Sequence, residues 1–153
     1  MTTNWEDVAA LRTTVKSIRL PQNSCNDPTY TTFDFSRFTE LEKLEIGSLS
    51  FMNVTTFQLK NMSKLKVFSV EEDSFSRQQR IGWDQQLGYN PEQKCSICNC
   101  PQLEMVNIGP GSFSGFSGGV ELTALPSLTT LVIGNVKKAS YNFYHAQFVL
   151  KGF

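Results

Sequence analysis

The chain has 153 residues and carries 14 Lys plus Arg against 14 Asp plus Glu. Zero formal charge excludes the basic excess of a nucleic-acid binder and the polybasic stretch of a membrane-surface protein. No apolar run approaches ~18 residues, so no membrane span is expected.

Met1-Thr2-Thr3-Asn4-Trp5-Glu6-Asp7 lacks the cationic start and apolar core of a signal peptide, which makes the chain cytoplasmic if it is complete. The first predicted element is a short helix over residues 4–11. Thr3 or Asn4 caps it, Glu6 and Asp7 suit its first turn, and Val8 and Leu11 share a face that would cover the first strand. One apolar frame then recurs: Val15-x-x-Ile18-x-Leu20, Leu41-x-x-Leu44-x-Ile46, Leu65-x-x-Phe68-x-Val70, Leu103-x-x-Val106-x-Ile108 and Leu128-x-x-Leu131-x-Ile133. The lead residues are spaced by roughly 25 positions, and the unit after Leu65 is longer by about 13. Alternation of this kind describes a short strand with one buried face.

A second frame lies upstream of each lead. It reads Phe33-x-Phe35-x-x-Phe38, Phe57-x-Leu59-x-x-Met62, Cys95-x-Ile97-x-x-Cys100, Val120-x-Leu122-x-x-Leu125 and Phe148-x-Leu150-x-x-Phe153. It predicts a second short strand per unit, at Phe57–Leu59 and its equivalents, in place of a helix. A third feature is Ser-Phe at Ser50-Phe51, Ser74-Phe75 and Ser112-Phe113, five residues after each strand, with Cys25 in the same slot earlier on. A unit this small cannot bury its apolar face alone; stacked units bury it against one another. The expectation is a mainly β solenoid of about five stacked repeats, with short parallel strands, forming one array over residues 1–153. Gly47, Gly109 and Gly134 are expected to supply positive φ after three strands. Pro101 and Pro126 are expected where strands begin.

The Leu-x-x-Leu-x-Ile-Gly-x-x-Ser-Phe frame resembles a leucine-rich repeat protein. Leu41-Glu42-Lys43-Leu44-Glu45-Ile46-Gly47 and Asn99-Cys100-Pro101-Gln102-Leu103 resemble the treponemal or BspA-like flavour found in many single-celled eukaryotes. The resemblance covers residues 15–153. It implies a curved parallel-β solenoid that binds other macromolecules. The Asn that follows the strand in the best-known leucine-rich repeats is absent.

Cys95-x-x-Cys98-x-Cys100 has the look of a zinc cluster, but Cys95 and Cys100 fall on positions filled elsewhere by Phe, Met, Leu and Val, so they read as core. Cys98 should point outward beside Lys60 and Thr123. No metal or cofactor is expected. His145 is the sole histidine, and no nucleophile elbow, phosphate loop or zinc-protease helix is present, so the chain reads as non-enzymatic. The binding reading has two candidate surfaces. The residues between the apolar positions form outward rows: Ser17, Lys43, Val67, Met105 and Thr130, then Arg19, Glu45, Ser69, Asn107 and Val132. Lys43 and Glu45 make one half charged, while Val67, Met105 and Val132 make the other apolar. The second surface is the insertion at residues 76–94, with Arg80, Trp83 and Tyr89, residue types that anchor interfaces. The function expected is a protein-interaction module; the alternative is a structural or adhesive slice of a longer array. Phe148, Leu150 and Phe153 build half a repeat, so the array is expected to continue or to stack end to end on another molecule.

Overall fold

A computed structural model describes residues 3–76, 90–137 and 140–153. Among the described residues ten strands form two parallel five-stranded sheets, preceded by one helix, α1 (Trp5–Ala9). The first sheet runs β1 (Ser17–Leu20), β3 (Lys43–Ile46), β5 (Val67–Val70), β7 (Met105–Ile108) and β9 (Thr130–Ile133) in that order. The second runs β2 (Thr32–Asp34), β4 (Thr56–Lys60), β6 (Lys94–Cys98), β8 (Val120–Thr123) and β10 (Phe148–Lys151). Each coil therefore gives one strand to each sheet, and five coils stack as a β-solenoid.

The register follows the sequence frame. Leu44 pairs with Ile18 and Phe68, and Phe68 with Val106, which pairs with Leu131. In the other sheet Phe57 pairs with Phe33 and Cys95, and Cys95 with Val120. A slip of one residue would turn each apolar side chain to solvent, so the pattern dictates the pairing. The two inner faces meet in one continuous core.

The aromatic residue of each Ser-Phe pair is the axis of that core. Phe51, Phe75, Phe113 and Phe143 stack nearly parallel, at centroid distances of 5.1, 4.5 and 5.0 Å. Each has positive φ, as has Cys25 in the first coil. The left-handed turn is what points the ring inward, and packing holds a conformation that L residues otherwise avoid. Phe143 extends the column by one coil beyond the three Ser-Phe pairs. A longer turn after Ile133 displaces it from the five-residue offset.

The serines form a buried ladder. Ser50 Oγ accepts from the Ser24 amide at 3.0 Å, Ser74 Oγ from the Ser50 amide at 3.1 Å, and Ser112 Oγ from the Ser74 amide at 3.0 Å. Ser74 and Ser112 in turn donate to the Gly47 and Glu71 carbonyls. All four serines are fully buried with their hydroxyls satisfied. In the last coil Asn142 stands in the ladder's place and donates to the Gly109 and Ser112 carbonyls.

Glycine works here mainly through close approach. Positive φ holds at Gly134 but not at Gly47 or Gly109. A Cβ on Gly47 would lie 2.6 Å from the Gln22 amide nitrogen, and one on Gly109 2.6 Å from the Glu71 carbonyl carbon. These glycines let one coil's turn rest on the turn before it. Pro101 and Pro126 occupy the second position of tight turns closed by Leu103 N–H to Cys100 O and Leu128 N–H to Leu125 O, not the start of a strand.

At the N-terminal end, α1 is capped by Asn4, whose side chain accepts from the Asp7 amide while Asp7 accepts from the Asn4 amide. Val8 enters the core, and Trp5 stacks on Tyr30 at 4.4 Å and meets Phe35 edge-on. Leu11 does not share the buried face as expected: the helix ends at Ala9, Arg37 holds the Ala9 carbonyl, and Leu11 is exposed.

Candidate interaction surface

The outer face of the first sheet carries the two rows read from the sequence. Lys43, Val67, Met105 and Thr130 are successive register partners, and so are Glu45, Ser69, Asn107 and Val132. Alternation in a strand gives this: Leu44 and Ile46 point inward, so Lys43 and Glu45 point out. Lys43 and Glu45 pair with each other at 3.1 Å. Along the edge of that face Glu42 lies between Lys16 and Lys66, at 3.6 and 3.4 Å, and Lys66 holds its carboxyl below the usual range. Towards the C-terminal coils the face turns apolar, with Val67 partly exposed, Met105 39 % exposed and Val132 44 %.

A groove of about 660 Å³ opens at the C-terminal ends of these strands. Ser48, Glu71, Glu72 and Asn107 form its polar side, and Val132 and Val136 its aliphatic side. Glu71 is oriented by Ser48, whose amide and hydroxyl both donate to its carboxylate. The far wall is the turn that follows β9. The Ser140 hydroxyl accepts from the Asn135 amide, the Asn135 side chain accepts from the Lys137 amide, and Val136 is left fully exposed. Sequence reasoning found Asn107 and Val132 but missed this groove. The available signal was the longer interval from Ile133 to Phe143 compared with Ile46 to Phe51.

The remaining candidates separate from this face. Arg80, Trp83 and Tyr89 lie outside the described residues. The described end of their insertion is a turn at residues 90–93, closed by Gln93 N–H to Asn90 O. It presses on the Gly-rich run: a Cβ on Gly118 would collide with the Pro91 carbonyl oxygen.

Cys95 and Cys100 are core residues, and Cys98 sits on the opposite face of β6 beside Lys60 and Thr123. Burial pushes the Cys25 thiol up to about 12 and raises those of Cys95 and Cys100. Among the described residues no three His, Cys, Asp or Glu gather where they could hold a metal ion, and no helix is long and apolar enough to cross a membrane. No family model matches the chain, and neither a curated protein nor a solved structure matches it.

Proposed function

We propose that this solenoid is a non-enzymatic protein-interaction module of the leucine-rich repeat kind, and that the outer face of its first sheet receives the partner. One observation carries the reading. Val67 and Met105 are neighbours in one outward row and Val132 lies in the next, beside Asn107, so that partly exposed Val67 and exposed Met105 and Val132 share one sheet face, with Val132 lining an open groove. Adjacent exposed apolar side chains on a fixed backbone lose water on docking without an ordering cost to the scaffold. The charged rows around Lys43 and Glu45 would set orientation more than affinity, because exposed ion pairs contribute little.

The test is a pull-down with three baits: the wild type, the triple variant V67D/M105D/V132D, and a control altered on the outer face of the second sheet, Gln58→Asp. The reading expects a partner retained by the wild type and the control and lost by the triple variant, with circular dichroism unchanged in all three. Equal retention by all three baits refutes the face as the contact site. That result would favour a structural slice of a repeat array.

A further inference from the structure

The groove at the ends of β5, β7 and β9 has two unlike walls. On one stand Glu71 and Glu72, which follow β5, and on the other Val132 and Val136. Among the described residues no Lys, Arg or His lines it; Lys137 shares a turn with Val136 but lies outside the lining. Elsewhere on this face the carboxylates have lysine partners: Glu45 has Lys43, and Glu42 has Lys16 and Lys66. Glu71 belongs to no ion pair among the described residues. Neutral donors fix it instead. The Ser48 amide and hydroxyl, at 3.2 and 3.1 Å, both reach Oε2, which leaves Oε1 to accept from a ligand.

We infer that this groove takes an arginine side chain of the partner, so that one basic residue is read here while the sheet face supplies contact area. The inference rests on the sheet face being the contact surface. A carboxylate already held in place has less freedom to lose on pairing, which removes part of the ordering cost of an exposed ion pair. A guanidinium is planar and weakly hydrated, and its fork of N–H donors matches a carboxylate. Its aliphatic stem would lie along Val132 and Val136, as long cationic side chains do on apolar surface. The volume, about 660 Å³, falls within the roughly 300–1,000 Å³ of ligand-binding pockets. A metal ion fits less well: among the described residues no three His, Cys, Asp or Glu gather to hold one, and the valine wall offers it nothing. A wholly apolar ligand would strip water from Glu71 without replacing it by a donor.

Titration of the full chain with N-acetyl-arginine amide, followed by nitrogen–proton NMR at fixed ionic strength, tests it. N-acetyl-citrulline amide, the neutral isostere, is the control ligand. The expected result is a saturable shift of the Ser48, Asn107 and Gly134 amides with arginine and none with citrulline. E71Q/E72Q should weaken binding about tenfold, while Glu121→Gln on the outer face of the second sheet should leave it unchanged. Glutamine keeps an oxygen for Ser48, so circular dichroism should be the same for all three proteins. No saturable shift up to about 50 mM, equal shifts with citrulline, or undiminished binding by E71Q/E72Q each overturns the inference. Such a failure, with the pull-down contrast of V67D/M105D/V132D intact, removes the arginine and leaves the sheet face. Loss of that contrast removes the sheet face, and the inference with it, even where arginine amide binds.

Discussion

The third coil and the fifth share one sequence pattern and differ in environment. Phe68 and Val70 in the third are covered by neighbours on both sides, while Leu131 and Ile133 in the fifth have one neighbouring coil. The pattern therefore specifies which side chains point inward, and the stack decides how much each stabilises. The central coils hold the core and display the rows between them. The last coil keeps the geometry but leaves its apolar side chains in water.

The largest expected contrast comes from the aromatic column. Phe75 lies between Phe51 and Phe113 and also meets Phe33 and Phe57 edge-on. Phe75→Ala should cost about 3–5 kcal/mol in urea unfolding. Phe148→Ala in the last coil should cost about 1 kcal/mol, since Phe148 is already 45 % exposed. Equal losses would mean that Phe148 is covered.

The serine ladder sharpens the contrast on polar groups. Ser74→Ala leaves the Ser50 amide and the Gly47 carbonyl buried without their partner and should cost about 1–3 kcal/mol. Ser127 donates to the Pro101 carbonyl at an exposed site, where water replaces the lost bond, so Ser127→Ala should stay within about 0.5 kcal/mol.

Thiol labelling distinguishes core from surface without mutation. Of Cys25, Cys95, Cys98 and Cys100, only Cys98 should react with a disulfide reagent in the folded protein at pH 8, because burial keeps the other thiols protonated and out of reach. All four should react in guanidinium. Rapid native labelling of Cys95 would break the core assignment.

The smallest effect belongs to the charged strip. The Glu42 carboxyl is held low chiefly by Lys66. Its folded pKa lies below the unfolded one, so the stability it adds is present above the unfolded value and is lost as pH falls through the folded value. A carbon-13 titration should place Glu42 below the ordinary glutamate range, and Lys66→Ala should move it back up. Added salt should shrink the shift, since the pair is exposed.

The strand frame was legible because burial on one face imposes a period of two, and repeating units impose one register. Leu44, Phe68 and Val106 had to align, and Phe57–Leu59 had to be a strand. Contacts between coils were harder to read. Gly47 looked like a source of positive φ, but its reason is the Gln22 backbone in the coil before it, a neighbour 25 positions away in the chain. Phe143 was missed because the longer turn after Ile133 breaks the local spacing while the spatial column continues. The groove was missed for the same reason, because residues from the second, third, fourth and fifth coils build it together.

The central claim is that one register runs through all five coils, and the aromatic column tests it most directly. With phenylalanine rings labelled and assigned, nuclear Overhauser contacts should join Phe51 to Phe75, Phe75 to Phe113 and Phe113 to Phe143, with none between Phe51 and Phe113. Absence of the Phe75–Phe113 contact, which spans the enlarged unit, would contradict a continuous stack.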